Sequence, residues 1–339
     1  MADVCKEVGA STASVSRALN NMPGVGAKLK QRILTAVKEL NYVPKAAARN
    51  LSSARNDTLG IVFQDLTAGW LLTVFRGIMS QAIGRYHILT ALSTRFGDEF
   101  ELPRRLLAER RIGGLIWLDT RATVRMVREM AEQQIPIVVL QRRINVPGVS
   151  TVVIEGMQGA AEATRHLLRL GYRRLVVIAG QEDSEDSERK MEGVRQALQE
   201  SGIEISPDDI LRGHHVGALA VEALSAYLAK GKALPEAILA FNDDMAIAVL
   251  NWLRKRGVRV PEDVALVGFD GIPEAEAYGL TTVDTPMYEM GMLATQLMIE
   301  HVESAPSARM SRNVILNGTL HIRETCGAHL HGPKPVAAS

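Results

Sequence analysis

Apolar residues recur at two different periods along this chain, and the change of period divides it. Val4 and Val8 stand one helical turn apart, and Gly9 follows where a left-handed residue can end a helix. Ser11 offers an N-cap to a second helix running to about Asn20. That helix places Val15 and Leu19 on one face and leaves Thr12, Ala13, Ser16 and Arg17 to project elsewhere. After a loop at Pro23 and Gly24, Leu29, Ile33, Val37 and Leu40 line one face of a third helix, predicted over 27–40. Two short helices joined at a glycine, with a third closing a small core, predict helix-turn-helix geometry. The second helix of such a unit enters the major groove of duplex DNA, although small three-helix modules also bind proteins.

Beyond Thr58 the period shortens. Apolar runs at 59–63, 87–92, 114–118 and 136–140 read as parallel strands, separated by helices near 71–83, 99–110 and 122–133. A second series follows at 152–154, 175–179, 210–212, 237–241 and 265–269, again with helical crossovers. The predicted fold class is α/β: a three-helix head, then a core of two successive doubly wound parallel sheets with a cleft at the carboxyl ends of the strands. The boundaries expected are 1–42 for the head, 43–57 for a hinge helix or linker and 58–326 for the two-lobed core. A short polar tail over 327–339 is expected to be disordered.

Charge sharpens this division. Up to Gly60 the chain has nine Lys and Arg against four Asp and Glu, while the remainder has 30 against 34. A basic head on a slightly acidic body fits an anionic partner for the head alone. Aromatic residues make up 4% of the chain, too few for the stacking grooves that hold single-stranded nucleic acid. No apolar run is long enough to span a bilayer, so no membrane partner is expected. Cys5 and Cys326 stand almost a chain length apart, giving neither a disulfide framework nor a metal pair, and a cytoplasmic location is expected.

The residues themselves are more specific. Asp3-Val4-Cys5-Lys6-Glu7-Val8-Gly9-Ala10-Ser11, then Val15-Ser16-Arg17-Ala18-Leu19-Asn20, resembles the head of the lactose-repressor/galactose-repressor (LacI/GalR) family. The resemblance continues through Leu40-Asn41-Tyr42-Val43-Pro44 and Ala48-Arg49-Asn50-Leu51, the place of that family's hinge helix. In the body it takes in Gly171-Tyr172-Arg173-Arg174, Phe241-Asn242-Asp243-Asp244-Met245-Ala246 and Gly268-Phe269-Asp270.

The resemblance implies an effector-responsive repressor that binds a pseudo-palindromic operator as a homodimer, without a cofactor, metal or catalytic residues. It makes 11–20 the recognition helix, with Thr12, Ala13 and Arg17 facing bases and Ser11, Ser16 and Asn20 facing phosphates. Asn41, Tyr42 and Ala48 join the DNA-facing set, and Leu51 falls where the family carries a minor-groove wedge. For a small sugar-like effector it implies Asp65, Trp70, Arg189, Lys190, His215, Asn242 and Asp270. Carboxylate and amide groups suit vicinal hydroxyls, and an indole suits an apolar ring face. Asn242 and Asp243 can equally cap a helix, and Trp70 can equally be core.

The sequence departs from the family where the effector is read. Lys190 stands for the usual Arg three residues before Gly193, with Arg189 adjacent; Gly271 replaces a second Asp, and His215 falls near a usual aromatic. Enzyme signatures are thin. Ser187 and Lys190 have a serine–lysine spacing without its partner motifs, Gly24-Val25-Gly26 follows no strand, and His214 and His215 are adjacent, unlike an i, i+4 metal pair. The rival reading is a sugar-binding sensor without sequence-specific DNA binding.

Overall fold

The computed structural model describes residues 1–19, 22–42, 56–64, 69–95, 97–118, 121–182 and 184–330. The head is three helices: α1 (Ala2–Val8), α2 (Thr12–Leu19) and α3 (Ala27–Glu39). Gly9 ends α1 in the left-handed region at φ 60°, and the Ser11 hydroxyl accepts the Ser14 N–H at 3.1 Å to cap α2. Gly26 precedes α3 with no side-chain cap. Val4, Val8, Val15, Ile33 and two alanines, Ala18 and Ala36, form the buried centre. Leu40, expected on the apolar face of α3, is 43% exposed because the helix stops at Glu39 and the chain turns there. Arg32 donates to the Val8 carbonyl at 3.1 Å, joining α3 to the end of α1.

The body contains two six-stranded sheets. The first runs through β1 (Thr58–Phe63), α4 (Leu71–Ala82), β2 (His87–Leu92), α5 (Asp98–Ala108), β3 (Gly114–Leu118), α6 (Val124–Ala131), β4 (Ile137–Leu140) and β5 (Val149–Glu155). The second begins with α7 (Gly156–Arg169), β6 (Leu175–Ala179), α8 (Glu185–Glu200), β7 (Ile210–Arg212), α9 (Gly217–Ala229) and β8 (Ala237–Ala240). It continues with α10 (Asp243–Lys255), β9 (Ala265–Asp270), α11 (Pro273–Ala277) and β10 (Thr281–Asp284). Runs such as Gly114–Leu118 and Leu175–Ala179 are buried throughout, as strands covered by helices on both faces must be.

The two sheets are not successive segments. The run 152–154, assigned from sequence to the second series, belongs to β5, which pairs with β4 in the first sheet. After β10 the chain returns as α12 (Met287–Glu303), packs on the first lobe, and adds β11 (Asn313–Asn317) beside β5. It then crosses again as β12 (Thr319–His321), antiparallel to β10. The orders are β11-β5-β4-β3-β1-β2 and β12-β10-β9-β8-β6-β7. Three crossings therefore join the lobes: after Glu155, after Asp284 and after Asn317. The body extends past Cys326, with Gly327 donating to the Glu324 carbonyl at 2.9 Å and Leu330 to that of Gly327 at 2.9 Å.

Glycines let helices cross at backbone distance. A Cβ on Gly77 of α4 would lie 2.0 Å from the Tyr288 carbonyl oxygen, and one on Gly291 of α12 would lie 2.1 Å from that of Val74. In the second lobe a Cβ on Gly193 of α8 would lie 2.0 Å from the Met157 carbonyl oxygen. The obstructing atoms are backbone and cannot rotate away. Gly77→Ala is therefore expected to destabilise the first lobe by about 1–3 kcal/mol, an overpacking cost larger than any helix-propensity gain. Thermal unfolding of the purified variant checks this; a transition at or above that of the parent would show that the helices can separate freely.

Candidate functional site

On the head, Ser11, Thr12, Ala13 and Arg17 are exposed along α2, and Ser16 is half-buried. This follows from the burial of Val15 and Ala18, which turns the remaining face outward. The Arg17 guanidinium comes within 3.3 Å of where a Cβ on Gly24 would sit, so glycine there leaves it room. Asn41, at φ 46°, and Tyr42 follow α3, and Tyr42 packs against the head's core. Asn20, Ala48, Leu51 and Asp65 lie outside the described residues.

In the body, a cavity of about 270 Å³ lies between the lobes. Trp70 and Thr73 line it from the first lobe, Asp270 and Gly271 from the second, and segments around the Asp284 and Asn317 crossings complete its wall. Trp70 packs against the hydrophobic cores of both lobes, so its indole spans the junction. The Gly69 N–H donates to Asp244 Oδ2 of α10 at 3.4 Å, a second contact across the cleft.

Asp270 ends β9 at φ 111°, a left-handed conformation that an L residue holds only when its surroundings impose it. Its carbonyl accepts both the backbone N–H and the hydroxyl of Thr285, at 3.0 and 2.9 Å. Its side chain is 8% exposed, and among the described residues its carboxylate has no hydrogen-bond partner. Burial pushes this carboxyl well above the ordinary range, while the nearby charge of Lys190 pulls the other way.

Lys190 is buried on α8. Its Nζ is 2.8 Å from Asp186 Oδ2, donates to the Phe241 carbonyl at 3.0 Å, and stands 4.0 Å from the centre of the Phe269 ring. The Ser187 hydroxyl accepts the Gly180 N–H at 3.1 Å, so the serine–lysine spacing serves separate structural bonds. His215, at φ 61°, lays its ring where a Cβ on Gly180 would be. Burial, together with Lys190, pushes this imidazole down to about 4. Arg189 turns elsewhere, reaching Glu155 at 3.2 Å and Glu192 at 2.6 Å. Asn242 caps α10 by accepting the Met245 N–H at 2.9 Å, and its amide donates to the His215 carbonyl at 3.1 Å. Of the seven candidate effector residues, Trp70 and Asp270 line the cavity. Lys190 and His215 are not among its lining residues, and Arg189 and Asn242 are committed to other bonds.

Asp243 was legible only as a possible cap. It is fully buried and accepts from Gly271 N–H at 2.7 Å, Ile272 N–H at 2.9 Å and the Thr282 hydroxyl at 2.6 Å. These bonds fix the turn immediately after Asp270. Glu155, at a lobe crossing, was missed altogether, because its partners Arg143 and Arg189 are distant in sequence.

A three-helix DNA-binding head on a two-lobed receptor core with a cleft between the lobes defines the class: an effector-binding regulator of transcription. Comparison with known proteins agrees. Residues 1–45 match the model for bacterial regulatory proteins of the lacI family, and residues 164–326 match the periplasmic binding protein-like domain. Catabolite control protein A of Priestia megaterium is 28% identical over 88% of this chain and 91% of its own length. The HTH-type transcriptional repressor PurR of Photobacterium profundum is 28% identical over 95% of this chain and 97% of its own length. Among solved structures, the complex of the transcriptional regulator CelR with cellobiose superposes with a TM-score of 0.72 at 26% identity, covering 95% of this chain and 98% of that one. By its head, its receptor core and these relatives, the chain is similar to LacI-family regulators of transcription over nearly its whole length.

Asp243 makes this site sensitive to pH. Burial pushes its carboxyl from 3.8 up to about 7 despite its three donors, so the folded protein holds that proton more tightly than the unfolded chain. The resulting stability is complete below the unfolded value and is lost as pH rises through about 7. Asn can accept the same two backbone N–H groups and donate to Thr282. Asp243→Asn is thus expected to remove the Asp243 share of the change in melting temperature between mildly acidic and neutral pH. It leaves the shares of the raised carboxyls Asp244, Asp270 and Asp284 and the opposite contributions of the lowered histidines His166, His215 and His301. Parallel pH–melting profiles for parent and variant would refute this assignment.

Proposed function

We propose that this protein is a homodimeric repressor that binds a pseudo-palindromic operator through α2 and releases or tightens it when a small sugar-like metabolite enters the cleft. One observation carries the reading: Asp270 is buried, lacks a hydrogen-bond partner among the described residues, and is held at positive φ on the wall of a cavity shared by both lobes. Such a group costs stability in the empty protein, and its accounting closes when a ligand supplies donors. Trp70 offers an apolar face beside it for a pyranose or furanose ring. A ligand touching both lobes favours one lobe orientation over another, which is what coupling to the head requires.

Support for a dimer comes from α4. Leu72 is 70% exposed, Met79 41% and Ile83 69%, an apolar stripe along the helix and just beyond it in a single chain. The protein acts on DNA in the cytoplasm by binding alone, without bond-making chemistry in the cleft. Among the described residues no helix is long and apolar enough to cross a membrane.

On the head, Arg17→Ala is expected to weaken specific operator binding by about 1–3 kcal/mol per half-site and to relax one base position. Fluorescence anisotropy with operator and scrambled duplexes checks this, since an equal loss on both would assign Arg17 to phosphate. In the cleft, a thermal-shift screen of sugars, sugar phosphates, nucleosides and purines identifies the effector, because a ligand of the native state raises the melting temperature. Asp270→Asn should then lower calorimetric affinity for that ligand about tenfold or more while operator binding stays near that of the parent. Retained ligand affinity with lost operator binding would overturn the cleft assignment.

A further inference from the structure

Glu155 occupies the first of the three crossings: it is the last residue of β5 in the first lobe, and α7 of the second lobe begins at the next residue. Its carboxylate has donors from three directions. Oε1 accepts the Met157 N–H at 3.0 Å, which caps α7. Arg143, after β4 in the first lobe, pairs with Oε2. Arg189 of α8 in the second lobe reaches both oxygens, at 3.3 and 3.2 Å. The residue is 8% exposed. The Asp284 crossing is built differently: its ion-pair partner His321, at 3.6 Å, belongs to the same sheet.

We propose that Glu155 is a positioning residue that sets the angle between the lobes by holding one arginine from each on a single carboxylate. Guanidinium–carboxylate pairs are directional as well as strong, because the planar fork must face the oxygens. Rotating one lobe about the crossing pulls one arginine out of line while the other stays. Glu155, with little access to water, then loses a donor that solvent cannot fully replace. Removing the carboxylate charge takes this counter-ion from Arg143 and leaves Arg189 paired with Glu192 alone, which belongs to its own helix.

The same crossing packs on Lys190, whose Nζ lies over the ring of Phe269, the residue before Asp270 of the cavity wall. A Cβ on Gly156 would lie 2.9 Å from Lys190 Cγ and 3.4 Å from Asp186 Oδ1, so the residue after Glu155 packs directly on the buried lysine pair. A ligand that displaces Lys190 therefore pushes on Gly156, and Glu155 passes the displacement to Arg143 in the first lobe. Effector binding and lobe angle are joined at this residue by contact.

The test measures lobe separation by pulsed electron spin resonance on the full chain, with Cys5→Ser and spin labels at Arg128→Cys and Glu222→Cys. Arg128 lies on α6 and Glu222 on α9, both exposed. Labelled chain is diluted into excess unlabelled chain so that distances within one chain dominate. No ligand is added, so the outcome does not depend on which effector the cleft takes. Glu155→Gln keeps the cap on α7 and removes the charge; it is expected to broaden the interlobe distance distribution. Arg143→Met, which leaves the cap untouched, should broaden it in the same way and serves if Glu155→Gln does not fold. Arg85→Gln, which breaks the Arg85–Glu303 pair within the first lobe, should leave it unchanged. A parent-like distribution in Glu155→Gln, or in Arg143→Met if the first variant fails to fold, would overturn the proposal, as would equal broadening in Arg85→Gln.

Discussion

Threading of the chain between the lobes constrains the rest of this structure. The first sheet lacks its edge strand, and α12 is missing from its face, until the chain returns from the second lobe. The second sheet is likewise completed by β12, which follows β11 of the first after a single residue. Each core therefore depends on the other lobe having been traversed. The apolar surface of Met290, Ala294 and Met298 can be buried only after β10 has formed its crossing. A consequence is a junction of three chain crossings, with the cavity beside it.

Electrostatics in the cleft follow from that geometry. Parallel strands deliver their carboxyl ends to one edge, so Asp270, Asp284 and the Asn242-Asp243-Asp244 run converge there, Asp243 and Asp270 buried and Asp284 half-buried. Three responses to burial are visible within a few residues. Asp243 is satisfied by three donors, Lys190 is paired with Asp186 and a carbonyl, and Asp270 is left open to the cavity. The satisfied groups hold the backbone that presents the unsatisfied one: Asp243 fixes Gly271 and Ile272, and Thr285 grips the Asp270 carbonyl from the neighbouring crossing. The Asp270 carboxylate, left without a partner among the described residues, is thus held in place by groups that have theirs.

Where local chemistry decides, reading the chain worked. Gly9 and Ser11 end one helix and begin the next through bonds spanning a few residues. The central strands β1, β3, β4, β6, β8 and β9 announce themselves as buried apolar runs, whereas β10, β11 and β12 do not. Asp270 could be singled out because it ends such a run. Arg189 could not be told from Lys190 by sequence, since they are neighbours on one helix. Their roles separate through partners far along the chain, Glu155 for one and Phe241 for the other.

Helix and strand periods, turn residues and the motifs of the head and strand ends were determined by the sequence alone, because burial of one face and capping of one turn are short-range demands. Strand pairing was not. Val152–Ile154 is an apolar run like those before and after it, and nothing local says which sheet it joins. Only the tertiary structure placed it beside β4 and β11, and only that placement brought Glu155 between Arg143 and Arg189. Hydrophobicity has magnitude and no address; partner choice came from the packing of whole sheets and helices against one another.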